Sequence, residues 1–509
     1  MERGLKMNIA KNLEISAFHF PDNLALMDEK ASLSYRQVDI ESNKIAAAIQ
    51  KTGIAPGDPV ALCAPNSNEW LCFYFGILKA GAVAVTLPYA MTRSELIPVL
   101  DDCKPVMMFT DDKKFSDFEA IACIKTIISG TSKPGTRHTT YDALILNETG
   151  SFQTIEREPG DTAAILYTGG TTGVSKGVEL THRNIMTSAL NVARCERSDE
   201  NDRALCFLPL NHVFAQMHIM NSTIFSAGGL VIQSSFNMEL LLKAVKEFQV
   251  TKFFSVPTVY IRLLSLPDLK EKLGSIRYCF SAAASMAREV VKEWKTLTGL
   301  DIFEAYGMTE SASMVTFNHY YRHVAGSVGT AVPQVEIRIC DDEGHVLGKN
   351  EPGEICISGP NIMKGYLNRK KDTEAAFRGR WFRSGDVGYL DDDSYLYIVD
   401  RIKELIITGG ENVSPREVEE ILYTRHEIEE CAVIGLPDKE YGEKIVAYMI
   451  PRPGQQIDPV SLKAYLKTRL SPFKVPKEFI SVSSLPKSST GKLLKRELKT
   501  RAMEKSDKA

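Results

Sequence analysis

From about residue 30 to residue 330 the chain alternates amphipathic helical stretches with short Val/Ile/Leu-rich runs, among them Val60–Cys63, Ala82–Leu87, Val106–Phe109 and Lys252–Ser255. Helical periodicity broken by short apolar runs predicts βαβ units, and these commit the chain to mostly parallel sheets. A chain of 509 residues also exceeds the size at which a single core stops growing, so two or more domains are expected. After Ala331 the pattern changes to short alternating strands, such as Val335–Ile339 and Gly353–Ser358, which predict a smaller antiparallel unit. Past residue 400 a compact α+β unit follows, with a helix opened by Ser414-Pro415, strands at Glu430–Gly435 and Lys444–Ile450, a helix near Val460–Arg469 and a Ser/Lys-rich tail.

Within the first part, residues 167–177 read Tyr-Thr-Gly-Gly-Thr-Thr-Gly-Val-Ser-Lys-Gly. Gly169, Gly170, Gly173 and Gly177 remove side-chain bulk so that backbone N–H groups can turn toward an anion. Thr168, Thr171, Thr172 and Ser175 add hydroxyl donors, and Lys176 adds a charge. A plain surface turn would share this composition. The loop, however, follows an apolar run, Thr162–Tyr167, carries one cation and no acid, and is soon followed by a helix start near Leu180–Asn184. It reads as a phosphate cradle. It is not a Walker loop, because Lys176 stands between Ser175 and Gly177 rather than after a glycine and before a hydroxyl.

Composition excludes other classes. The net charge of −3 with 25% charged residues carries no basic excess that would point to nucleic acid. The N-terminal Met1–Asn8 has charges where a secretory leader needs an apolar core. The most apolar window, Trp70–Pro88, is interrupted by Lys79 and Gly81 and reads as a helix followed by a strand, not a membrane span. Ten cysteines lie at least nine positions apart, which excludes C-x-x-C metal or redox motifs and fits reduced thiols in a cytoplasmic protein.

Four further segments carry polar groups that a nucleotide needs. Ala305-Tyr-Gly-Met-Thr-Glu310 offers a ring for a base, a glycine turn, a hydroxyl and a carboxylate suited to Mg2+. Trp381–Asp386 places one acid after a glycine, Val399–Lys403 sets opposite charges at the expected domain junction, and Ser489–Lys492 supplies a second lysine. Each has a bland alternative: Tyr306 as core, Asp386 as a turn cap, Asp400 with Arg401 as a surface pair, Lys492 as a solvated tail residue.

Together and in this order, they resemble the adenylate-forming superfamily that includes acyl-CoA synthetases, insect luciferases and the adenylation domains of peptide synthetases. The likeness runs from Leu33–Gln37 and Leu78–Ala82 to Gly491-Lys492. It implies an α/β fold whose large N-terminal domain, residues 1–400, holds two βαβ-rich subdomains and a small β-barrel, with a mobile α+β lid at 401–509. It further implies that Thr168, Gly169, Gly170, Thr171, Thr172, Gly173 and Lys176 hold the β- and γ-phosphates of ATP. Tyr306 would flank adenine, with Glu304 and Ala305 in the same nucleotide-binding segment; Thr309 would touch the α-phosphate and Glu310 would bind Mg2+. Asp386 and Arg401 would hold the ribose, Lys403 would be the hinge, and Lys492 would reach the α-phosphate and the substrate carboxylate. Thr408, Gly409 and Gly410 would face the pantetheine of CoA once the lid has turned. Departures from the family pattern are Gly169 for serine, Ser175 for proline, Ser281–Ser285 for a glycine-containing segment, and Ser384 for threonine.

The resemblance places His212 at the mouth of an acyl pocket lined by Phe214, Ala215, Met217, Phe254, Val256 and Met314. Between Arg203 and Met238 there is no Asp or Glu, so a substrate ammonium would lie there unpaired at high cost. The expected substrate is a carboxylic acid with an uncharged tail, medium-chain, alicyclic or aryl. The expected reaction is ATP-dependent acid:CoA ligation through an acyl-AMP. A ligase that loads a carrier-protein pantetheine and a catalytically silent nucleotide-binding regulator stay open as alternatives, as does a homo-oligomer.

Overall fold

The computed structural model describes residues 6–131, 137–168, 175–282, 284, 286–488 and 493–506. The expectations placed on Gly169 to Gly173 and on Lys492 fall outside the described residues.

Two parallel-rich sheets form the body. The first orders its eight strands as Gly365–Tyr366, Lys176–Thr181, Thr162–Thr168, Val83–Thr86, Pro59–Cys63, Met107–Thr110, Thr126–Ser129 and His138–Thr140. Its central strands run parallel, whereas Lys176–Thr181 pairs antiparallel with both its neighbours. Val83–Thr86 is buried at all four positions, as expected for a strand with both faces covered. The apolar window read as helix then strand forms the helix Asn68–Lys79, capped by the Ser67 hydroxyl, followed by that strand.

The second sheet runs Ile302–Glu304, Tyr278–Ser281, Lys252–Ser255, Arg203–Cys206, Gly229–Ile232, Leu24–Met27 and Ser32–Ser34, parallel except for the last pair. The expected change after Ala331 is a five-stranded antiparallel sheet built around the long strand Trp381–Leu390.

The C-terminal unit has its own antiparallel sheet, in which the hairpin Ile428–Asp438 and Gly442–Pro451 is its longest pairing. Ile406, Val418, Leu422, Val433, Met449, Leu462 and Leu466 make a separate apolar core there. Helix Pro415–Leu422 docks on the preceding strand Leu396–Arg401: the Ser414 hydroxyl and the Arg416 amide donate to Asp400 at 2.8 and 3.2 Å, and the Arg416 guanidinium donates to the Ile398 carbonyl at 2.6 Å. All ten cysteines are free, eight of them buried and Cys123 and Cys195 half-buried. No helix among the described residues is long and apolar enough to cross a membrane.

Candidate active site

The edge strand Ile302–Glu304 of the second sheet delivers the chain into a tight hairpin, Gly307–Met308 against Ser313–Met314. Gly307 is obligatory here, because a Cβ would lie 1.5 Å from the Ser313 carbonyl oxygen. Ala312 and Ser313 hold the return at φ 48° and 101°, conformations that side-chain-bearing residues adopt only under constraint. The Tyr306 amide is pinned by the Thr316 hydroxyl at 3.0 Å. Its phenol, buried, donates to Asp386 at 2.6 Å. Asp386 follows Gly385, at φ +73°, and lies in register with Arg401 on the adjacent strand, with Arg401 Nε 3.4 Å from its carboxylate.

Ser384, where the family pattern has threonine, donates its hydroxyl to the Ile355 carbonyl at 2.7 Å and accepts from the Asp386 amide at 3.1 Å. That job needs a hydroxyl and no methyl, so the departure preserves the geometry of the turn.

Glu304 is buried, and one carboxyl oxygen accepts from the Met286 amide at 3.4 Å. The other, Oε2, has no partner among the described residues. Burial pushes this carboxyl up to about 7, against the pull of the positive Arg416 side chain of the C-terminal unit.

A second group gathers around Lys176, where the strands Thr162–Thr168 and Lys176–Thr181 pair. Thr168 faces Lys176 across the antiparallel pair that the loop closes. The Lys176 ammonium sits 5.0 Å over the Tyr366 ring and 3.0 Å from Asp372, and the Tyr366 hydroxyl donates to Glu310 at 2.9 Å. Burial raises the Glu310 carboxyl. Thr309, buried, opens the 3-10 turn that carries Glu310, and Ala305 is half-buried one position before Tyr306.

The third group is the set of residues expected to line an acyl pocket. Phe214–Asn221 is a π-helix, whose wide turn is braced by the Asn221 side-chain Nδ2 donating to the Gln216 carbonyl at 2.8 Å. Phe214, Ala215, Met217, Phe254, Val256 and Met314 are all buried. Phe214 meets Phe254 and Phe280 at ring-centre distances of 6.4 and 5.7 Å. His212 is half-buried, its ring Nδ1 3.2 Å from the Phe214 amide.

Sequence reasoning missed His218, one turn beyond Phe214. It is buried against Phe280 at 4.4 Å, with Nε2 at 2.6 Å from Glu196 and Nδ1 at 3.2 Å from the Ser313 hydroxyl. Glu196 lies just upstream of the acid-free window that the sequence defines. Its charge is answered by Lys252 at 3.3 Å, which also pairs with Asp202 at 3.3 Å. Tyr366 and Asp372 were missed as well. The i+4 spacing from Phe214 pointed to His218, whereas nothing local pointed to Asp372.

In the C-terminal unit Lys403 is exposed in the turn Ile402–Glu404. Thr408, buried, faces Glu411 across a two-residue hairpin turn, Gly409-Gly410, with φ +60° and +85°.

Two parallel-rich sheets, with the buried Tyr306–Asp386 pair and Lys176 at their edges, fit an AMP-binding enzyme. The chain belongs to that family: the AMP-binding enzyme family matches residues 13–367, and the AMP-binding enzyme C-terminal domain matches residues 417–492. Among its relatives are a long-chain-fatty-acid–CoA ligase of Bacillus subtilis, 32% identical with 95% of this chain and 92% of that protein aligned, and a feruloyl-CoA synthase of Amycolatopsis, 33% identical with 94% and 96% aligned. The crystal structure of ATP-bound MatB from Rhodopseudomonas palustris superposes with a TM-score of 0.90 at 32% identity, covering 97% of this chain and 99% of that one. More particularly, the protein is an adenylate-forming acid:CoA ligase, with ATP and CoA as its co-substrates.

Proposed function

We propose that the acid activated is a carboxylic acid with an uncharged, apolar tail, medium-chain, alicyclic or aryl, seated against Phe214, Met217, Phe254 and Met314. The observation that carries this is the neutralisation of Glu196. This buried carboxylate beside the aromatic cluster is paired with Lys252 and bonded to His218, so it offers no uncommitted charge to a substrate ammonium. The relatives named for fatty and feruloyl substrates fit the same class.

In the first half-reaction a carboxylate oxygen attacks the α-phosphorus of ATP, and the bond to the bridging oxygen breaks to release pyrophosphate. This step needs alignment and charge neutralisation more than covalent chemistry. Tyr306 flanks adenine, the unpartnered Oε2 of Glu304 accepts from its amino group, and Asp386 with Arg401 holds the ribose. Thr309 touches the α-phosphate; Thr168, Lys176 and the intervening loop, Gly169 to Gly173, hold the β- and γ-phosphates. Glu310 suits Mg2+, since a carboxyl whose charged form is disfavoured by burial gains most from a cation; the ion would offset phosphate charge. Lys492 supplies the last positive charge, on the α-phosphate and the acid.

In the second half-reaction the CoA sulfur attacks the acyl carbon, the bond to the AMP oxygen breaks and AMP leaves. A Lys492 engaged with the α-phosphate would block that approach, so the C-terminal unit, residues 401–509, turns about Lys403, withdraws the lysine and presents Thr408, Gly409 and Gly410 to pantetheine. His212 guards the mouth of the acyl pocket. A cytoplasmic location fits ten unpaired thiols.

The test is AMP release from a panel of carboxylic acids, with and without CoA. Turnover of apolar acids with CoA, and none of α-amino or dicarboxylic acids, is the expected result; preference for a charged tail overturns the assignment. Lys492→Ala should slow acyl-AMP formation far more than thioester formation from synthetic acyl-AMP, and equal slowing of both would refute the division of labour.

A further inference from the structure

We propose that Asp372 is a resident counter-ion of the phosphate loop. It holds Lys176 when no nucleotide is bound, yields it to the triphosphate of ATP and takes it back as pyrophosphate departs. The inference rests on the reading that Lys176 binds the β- and γ-phosphates. Lys176 is placed by two contacts, the Asp372 carboxylate at 3.0 Å and the face of Tyr366 at 5.0 Å. Both partners belong to one short stretch of chain, and that stretch is tied to the strand carrying the lysine. Tyr366 pairs with Val178, the Leu367 amide donates to the Gly177 carbonyl at 2.8 Å, and the Tyr366 amide donates to the Thr373 hydroxyl at 2.9 Å. Asp372 sits in the first turn of the following helix, Lys370–Ala376. The acid and the lysine therefore share a scaffold, and exchange needs only side-chain rotation.

The pair is built to be given up. The Lys176 and Asp372 side chains are 25% and 39% exposed, and solvated pairs of this kind are weak. A triphosphate bears several charges and outcompetes one carboxylate. After cleavage, the same carboxylate is the nearest anion able to reclaim the ammonium and so lowers the affinity for the leaving pyrophosphate. Tyr366 adds a link, because its ring lies under Lys176 while its hydroxyl donates to Glu310. One side chain thus sets the spacing between Lys176 and Glu310.

The experiment measures Mg-ATP and Mg-pyrophosphate binding by calorimetry without any acid substrate, in the full-length protein and in Asp372→Asn, Asp372→Glu, Lys176→Ala and the Asp372→Asn/Lys176→Ala double variant. Asp372→Asn should tighten both ligands about two- to fivefold, the range expected for loss of one solvated competitor. Its steady-state KM for ATP should fall while kcat does not rise. Asp372→Glu should restore parental constants, and Asp372→Asn should change nothing in the Lys176→Ala background. Unchanged constants in Asp372→Asn, or the same tightening without Lys176, overturn the exchange while leaving the nucleotide reading intact. Failure of the parent protein to bind Mg-ATP would overturn both.

Discussion

The Tyr306 hydroxyl donates to the Asp386 carboxylate at 2.6 Å, across 80 positions of sequence, from the turn after strand Ile302–Glu304 to the antiparallel sheet. The bond joins the segment proposed to flank the base to the acid proposed to hold the ribose, so these two groups are set relative to each other before any ligand arrives. Tyr306→Phe keeps the ring and removes the bond. It should raise the KM for ATP about tenfold or more, the worth of a hydrogen bond to a charged group, with KM for the acid within twofold. An unchanged KM for ATP would assign the phenol to structure alone.

Glu304 gives a pH signature. Its carboxyl protonates near 7 in the folded protein against 4.5 for the free side chain. Between these values the folded state holds the extra proton, so this group's contribution to stability falls as pH rises from about 4.5 to about 7 and is level above that. The span is on the order of 3 kcal/mol. Glu304→Gln should remove the dependence, gaining on the parent between pH 5 and pH 8 in chemical denaturation; parallel profiles would contradict the assignment.

Gly307→Ala should destabilise the protein by at least about 2 kcal/mol, because the new methyl meets the Ser313 carbonyl at 1.5 Å. Displacing that hairpin also moves Thr309 and Glu310, so adenylation should be lost even where the variant stays folded. A normal melting temperature with full activity would refute the close approach.

Replacing Glu196 by Gln takes one of two carboxylates from Lys252, leaving Asp202 and the Ser198 hydroxyl, and weakens the bond to His218. About 3 kcal/mol of stability should be lost, seen as a lower denaturation midpoint at an unchanged slope. A neutral result would mean that the buried network is dispensable.

Phe254→Leu trims the aromatic cluster by a ring. The ratio of kcat/KM for a bulkier over a smaller acid should rise about tenfold, with the KM for ATP unchanged. No shift in preference would place Phe254 in the core and not against the substrate.

The helix-strand alternation was legible because burial on both faces of a parallel sheet leaves continuous apolar runs, as at Val83–Thr86. The helix at Ser414-Pro415 was legible because caps are local chemistry. Tyr366, Asp372, Glu196 and His218 were not read as site residues. Tyr366 reaches Glu310 through a strand that joins the edge of the first sheet, and Glu196 reaches His218 by the packing of helix His182–Cys195 against the π-helix. An acid-free window counts residues along the chain, and Glu196 entered the acyl region from outside it.

Local periodicity, turn chemistry and the order of polar segments determined the fold class and singled out the acids and cations proposed for the nucleotide site, because each signal is written within a few residues. Which of those groups touch was decided by tertiary structure alone. Strand order carried Asp386 into register with Arg401 and beneath Tyr306, and edge pairing carried Asp372 onto Lys176. Charge pairing depends on distance in space, and the separation of these residues along the chain carries no information about it.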